Sequence, residues 1–308
     1  MASRVTVRLL GLVVAGLVVA LAVGVVVLDR RQAARGAPSL FVLPWRAAGP
    51  AVARPSPPRS RSPGRVAVLV DELGTRADVV ERLLALGRPV TLAVLPGLPL
   101  SRRIARDAAR AGLEVWLQVP LEPYRFPESD PGPGVLLVSM PPDEVGRWTR
   151  QHLQSVPGAV GVVTRMGSRF TEDRVRMQAL LEPVRAQGLF FLDSFTTHRS
   201  VGYDLARMLG VPAARRQVFL DPDESEATAR ARLHEVERWA ERRGSVIAIA
   251  HGRLLTLRLL EEALPRWEAR GFRIVPVSEL VDRAGAAGPE GRPARKADHA
   301  GVGHRDLV

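Results

Sequence analysis

Between Val66 and Val281 the chain alternates short apolar runs with charged, amphipathic segments, and that alternation leaves few folds open. The runs are VAVLV (66–70), VTLAVL (90–95), EVWLQV (114–119), GAVGVV (158–163), LFFLD (189–193), QVFLD (217–221), VIAIA (246–250) and FRIVPV (272–277). Their shortness and their valine and isoleucine content predict strands. Helical patterns fall between them. ADVVERLLAL precedes Pro89, and SRRIARDAARAG ends on Gly112, a glycine placed to cap a helix C-terminus. Strands that alternate with helices build a parallel sheet, either open and doubly wound or closed or nearly closed into a barrel. An open sheet that binds dinucleotides needs a glycine-rich turn after its first strand, and DELGTRAD has a single glycine.

The positions of the polar residues decide between the two. Asp71 and Glu72 follow the first run, Gln118 and Glu122 end the third, and Arg165, Ser168 and Arg169 follow the fourth. Asp193 closes the fifth, Asp221 the sixth, and His251 follows the seventh. All stand at C-terminal strand ends, where a barrel builds its site from several strands; an open sheet gathers its site at one switch point. The expected fold is therefore α/β, a (β/α)7-type barrel with a site at its mouth. Asp193 and Asp221 are equally suited to capping a helix or forming a turn. The adjacent pair Asp71–Glu72 exceeds what a cap needs, and His251, between VIAIA and Gly252, is placed to hold a ring at the mouth. His198 could reach the same site from the loop after Asp193.

Several blocks, taken in order, resemble the divergent polysaccharide deacetylases, relatives of the carbohydrate esterases that remove acetyl groups from N-acetylated sugars. VLVDELG resembles that family's Asp-Asp-x-Gly strand, LQVPLEP its Leu-His-x-Pro-Met-Glu-Pro, and VVTRMGSRFTED its stretch containing Asn-His-Met-Gly-Ser. VTLAVLPGLP, PGPGVL, GLFFLDSFTT and AHG complete the match from about Val66 to Val281. The resemblance implies a barrel of about seven strands and hydrolysis of N-acetyl groups on a glycan. A divalent metal, usually zinc, would polarise the carbonyl and activate water. Carried over by position, Asp71 would be the base, Glu72 the metal-ligand acid, Glu122 and Asp193 pocket residues, and His251 the acid or orienting group. Asp193 also counts with Asp71 and His251 as a candidate catalytic residue; Gln118, Arg165, Ser168, Arg169 and Asp221 are candidate pocket residues.

The departures fall on the metal site. Gln118 and Arg165 stand where the family has histidines, and Glu72 stands where it has Asp. Zinc sites of this kind use three protein ligands, and a guanidinium cannot ligate. The expectation is thus no cofactor or a weakly bound divalent metal, with Arg165 supplying fixed positive charge and pairing with Glu72, Asp71 or Asp193. Two readings follow: a deacetylase with an altered site, or an inactive barrel that binds glycan or an envelope protein.

Charge and composition set the surroundings. The net charge of +12 resides mostly outside the folded segment: residues 66–281 hold 29 Arg against 27 acids, leaving 15 basic and 5 acidic residues for the flanks. With 5% aromatic residues and no basic concentration on the fold, nucleic acid is not an expected partner. No cysteine is present, which excludes disulfides and thiolate chemistry. Residues 9–28 form an uncharged apolar stretch about 30 Å long as a helix, read as an N-terminal anchor within 1–30, with a cleaved signal peptide as the alternative. Residues 31–65 read as a Pro/Arg-rich linker, 66–282 as the barrel and 283–308 as a disordered tail. Taken with the family resemblance, the anchor and linker imply a domain on the outer side of a membrane.

Overall fold

The computed structural model describes residues 64–282. The apolar stretch 9–28, nearly all of the linker and the tail lie outside the described residues. Among the described residues no helix is long and apolar enough to cross a membrane.

Nine strands form one parallel sheet: β1 (Arg65–Leu73), β2 (Thr91–Val94), β3 (Val115–Leu121), β4 (Gly161–Met166), β5 (Phe190–Asp193), β6 (Ala213–Arg215), β7 (Val218–Phe219), β8 (Ser245–His251) and β9 (Arg273–Ile274). Among the described residues seven helices alternate with them: α1 (Ala77–Ala85), α2 (Ser101–Arg110), α3 (Pro142–Ser155), α4 (Arg174–Ala186), α5 (Gly202–Met208), α6 (Glu226–Arg243) and α7 (Leu254–Ala269). Their ends follow ordinary chemistry. The Asp173 carboxylate accepts from the Arg176 amide ahead of α4, and Ser225 accepts from the Thr228 amide ahead of α6. Gly244 ends α6 at φ 77°, a left-handed conformation that glycine adopts without a Cβ clash.

The strand order is β6-β5-β4-β3-β2-β1-β8-β7, with β9 beside β1. The sheet curls into a half-barrel, and its outermost strands, β6 and β7, do not pair. The curl is consistent with the expected barrel, left open between these two strands. The seam is crossed by the link Arg216–Gln217, and Gln217 bridges it with a side chain. Its Oε1 accepts from the Ile247 amide of β8 (2.7 Å), and its Nε2 donates to the Arg215 carbonyl of β6 (2.6 Å).

Two apolar layers hold the fold. The outer layer lies between sheet and helices and includes Val66, Val68, Val70, Leu117, Phe191 and Trp267. The inner layer fills the curl with Ala67, Leu69, Trp116, Val163, Leu192, Ala214, Ile247 and Ile249, joined by Val275 and Val277. Residues two apart on a strand share a face. The inward series therefore run Leu69 to Asp71, Trp116 to Gln118, Val163 to Arg165, and Ile249 to His251. Each site residue is the next inward position above the packed interior, at the C-terminal end of its strand.

Candidate functional site

Asp71 and His251 are Cα partners at the ends of the neighbouring strands β1 and β8. Gln118 reaches them from β3: its Nε2 donates to Asp71 Oδ2 (2.8 Å) and its Oε1 accepts from the Glu72 amide (2.8 Å). One amide therefore fixes both acids of the Asp-Glu pair. Glu72 adopts φ 59°, which turns its side chain back over the mouth. There it ion-pairs with Arg165, and His251 Nε2 approaches the same oxygen, Oε1, at 3.2 Å.

His251 is held from the other side by Asp221. Asp221 Oδ1 accepts from the His251 amide (3.0 Å) and contacts ring Nδ1 (3.1 Å), while Oδ2 accepts from Thr256 Oγ1 (2.6 Å). Gly252 follows because the chain turns against β1 here: a Cβ would stand 2.8 Å from Leu73 Cδ2, and the Gly252 amide donates to the Asp71 carbonyl (3.0 Å).

The electrostatics differ at each member. Burial pushes the Asp71 carboxyl up to about 7, against the charges of His251 and Arg165. Its Oδ1 is buried and has no hydrogen-bond partner. Burial would also raise Glu72, but the His251 hydrogen bond and the His251 and Arg165 charges outweigh it and hold that carboxyl at about 2. Burial would lower His251, yet the hydrogen bonds to Asp221 and Glu72 and the charge of Asp71 raise it to about 10. At neutral pH the imidazole is an imidazolium.

Arg165 is largely buried, and its Nε donates to the Pro131 carbonyl (2.8 Å), tying the β3–α3 loop to the mouth. The base of that loop is pinned by Glu122, whose Oε2 accepts from the Val138 amide (2.6 Å) and whose Oε1 pairs with Arg169 (2.9 Å). Ser168 Oγ accepts from the Tyr124 amide (3.1 Å). Glu122, Ser168 and Arg169 thus form a separate cluster at the loop base. Asp193 is buried with both oxygens engaged: Oδ1 accepts from the Phe195 amide (2.8 Å), and Oδ2 from Ser200 Oγ (2.7 Å) and the Tyr203 amide (3.2 Å). Those contacts order the turn before α5, the capping role open to it in the sequence.

The strand ends carry another mark. Besides Glu72, the non-glycine residues Met166 (φ 49°) and Phe195 (φ 52°) are left-handed at the ends of β4 and β5. Each such residue costs on the order of 1–2 kcal/mol, and such strain collects at functional sites. A cleft of about 500 Å³ adjoins the cluster, lined by Glu72, Thr75, Arg76, Asp221, Asp223 and Arg253 among others.

The sequence reading missed Arg216 and Phe219. The Phe219 ring lies 4.9 Å from the His251 ring and 4.9 Å from the Arg216 guanidinium carbon, so it spaces the two cations. Ala214 points inward and so does Arg216 two positions on, but a strand of three residues carries no periodic signal that would place them.

For a divalent metal, Asp71, Glu72 and His251 each offer one atom, all within 4.8 Å of one another. The Glu72 oxygen beside His251 already faces Arg165. An ion bridging the three donors would have to displace a guanidinium and deprotonate the imidazolium.

A family model described as divergent polysaccharide deacetylase matches residues 68–281. YibQ of Escherichia coli (strain K12), described as uncharacterized, is 33% identical over 199 residues, which is 65% of this chain and 62% of YibQ. An uncharacterized protein of Haemophilus influenzae (strain ATCC 51907 / DSM 11121 / KW20 / Rd) is 28% identical over 200 residues, 65% of this chain and 71% of that protein. Among solved structures, the uncharacterized protein ATU2773 from Agrobacterium tumefaciens C58 superposes with a TM-score of 0.68 at 28% identity, over 73% of this chain and 92% of that one.

Proposed function

The chain belongs to the divergent polysaccharide deacetylase family, and from that premise we propose that its barrel mouth hydrolyses an N-acyl group on a glycan, with Arg165 in place of a bound cation. The observation that carries this reading is Asp71. Gln118 holds one of its oxygens, the other is free, and its proton affinity is matched to neutral pH. A purely structural carboxylate gains nothing from that arrangement, whereas a general base needs it.

The residues divide the work as follows. Asp71 Oδ1 takes a proton from the attacking water as its oxygen bonds to the acyl carbon. Arg165 supplies positive charge beside the oxygen on which negative charge develops. When the carbon–nitrogen bond breaks, His251, charged and oriented by Asp221, gives its proton to the leaving amine. The products are acetate and an amino sugar, and water supplies the remaining atoms. The donor set does not fit a resident divalent metal, because Arg165 and His251 already occupy the oxygen that such an ion would need, and no step runs through one.

A binding-only barrel is the second reading, favoured by one observation. Arg165 is tied through Nε to Pro131 and its charge is already matched by Glu72, which leaves less of that charge for a substrate oxygen. In either reading residues 9–28 tether the domain to a membrane, with the mouth on the outer side where glycan lies. Acetate release from N-acetylated chito-oligosaccharides by the full chain in detergent, beside Asp71→Asn, tests the proposal. Release by the parent chain, abolished in the Asp71→Asn variant, is expected; no release by the parent chain overturns the hydrolase reading in favour of the binding barrel.

A further inference from the structure

Arg216 takes no part in the steps above, although it is among the most firmly placed side chains at the mouth. Its amide donates to the Asp193 carbonyl (3.0 Å) at the end of β5. Its Nε donates to the Ser194 carbonyl (2.7 Å) and its Nη2 to the Phe195 carbonyl (3.4 Å), and its plane lies over Phe219. Phe219 in turn packs on His251, so the guanidinium stands beside the Asp71–Glu72–His251 cluster.

What Arg216 lacks is a counter-ion. Among the described residues it forms no ion pair, and Nη1 donates to no protein group. None of the acids near it pairs with it: Asp193 is engaged by three donors, Asp71 has one oxygen held by Gln118, and Glu235 pairs with Arg232. Other arginines around the mouth have an acid partner. Arg165 has Glu72, Arg169 has Glu122, and the adjacent Arg215 has Asp204 at 2.8 Å. A cation set into a protein interior is ordinarily paired. Burial lowers Arg216 only to about 10, so it stays charged at neutral pH.

An anchored, unpaired guanidinium with a free terminal nitrogen is built to receive an oxyanion. We infer that Arg216 is the receptor for a carboxylate carried by the glycan, so that the site takes an acidic N-acylated sugar chain in preference to a neutral one. The inference rests on the glycan reading above and names its substrate class. A carboxylate fits better than a phosphate because one unpaired cation, close to Asp71 and Asp193, matches a single negative charge.

The test compares three tetrasaccharides by calorimetry on the full chain in detergent. They are alternating glucuronic acid and N-acetylglucosamine, the same sugar with its carboxyl groups reduced to alcohols, and neutral N-acetylglucosamine tetramer. The acidic sugar is expected to bind more tightly than either neutral one by on the order of tenfold or more, the scale of a charge-assisted contact. Arg216→Met should remove that difference and leave the affinity for the neutral tetramer unchanged. Equal binding of the three sugars, absence of binding, or a preference that survives in the Arg216→Met variant overturns the inference. So does competition by inorganic phosphate as strong as that by the acidic sugar. The comparison with the reduced sugar uses the parent chain alone, so it decides even if the variant fails to fold. Acetate release is read separately. Release without acid preference sinks this inference and spares the hydrolase; acid preference without release does the reverse.

Discussion

Arg165 and His251 meet at a single carboxylate oxygen, Oε1 of Glu72, one from β4 and the other from β8. The acid is shared between two cations, so removing its charge acts on both sides of the mouth. In Glu72→Gln, His251 keeps Asp221 but loses its second anionic partner. Its pKa should fall from about 10 by roughly one unit or more, read from the ring protons in an NMR titration. An unmoved His251 would show that Asp221 and Asp71 suffice to hold it charged.

Metal affinity follows from the same oxygen. The parent chain should take up zinc weakly in a calorimetric titration. The double variant Arg165→His, Gln118→His removes the competing guanidinium and supplies two imidazoles, and it should bind zinc at least about a hundredfold more tightly. Tight zinc binding by the parent would overturn the account of Arg165.

The buried Asp71 gives stability a defined pH dependence. Its folded pKa, about 7, lies above its ordinary 3.8, so the folded state holds the proton more strongly than the unfolded chain. That contribution is complete below about 3.8 and is lost as pH rises through about 7. Glu72, His251, Arg165 and Asp221 face the same carboxyl and do not reverse the sign. Asp71→Asn should therefore gain stability on the parent between about pH 4 and about pH 8, by on the order of 4 kcal/mol. Denaturant midpoints at the two pH values measure it, and a constant difference would mean that Asp71 is ionised throughout.

Gln118 satisfies two groups at once, the Glu72 amide and Asp71 Oδ2. Gln118→Leu keeps the volume and strands both, so a loss of about 2–4 kcal/mol is expected, together with loss of any acetate release. Gln118→Glu preserves the acceptor for the Glu72 amide and sets a second carboxylate against Asp71. It should raise the apparent pKa of any activity, because like charges hold the proton.

Much of this arrangement was legible in the sequence, and the reasons differ by residue. Asp71 and His251 could be placed because each follows an unbroken apolar strand whose period of two fixes which way the next side chains point. Arg165 could be singled out by the residues around it. The strand Ala213–Arg215 could not: three residues, two of them alanine, give no periodic signal, and Arg216 was lost with it among 29 arginines of the folded segment. The partners of Asp193 were equally hidden. They come from a turn with Phe195 left-handed, a conformation that residue type does not announce. Arg169 and Glu122 are 47 positions apart, and no local pattern links them.

Gln217 gives the seam one last consequence. A side-chain amide carries the same donor and acceptor as a peptide group, so it can replace a missing strand for a single rung and no further. The free edge of β6 is therefore clasped by Gln217 at its C-terminal end and by the paired backbone of Ala213 and Asp282 at its start, while β6 and β7 themselves share no rung. Thermal breathing of the half-barrel should begin at the Gln217 clasp and spread its rim, carrying Arg216 away from His251 while every other strand pair stays zipped.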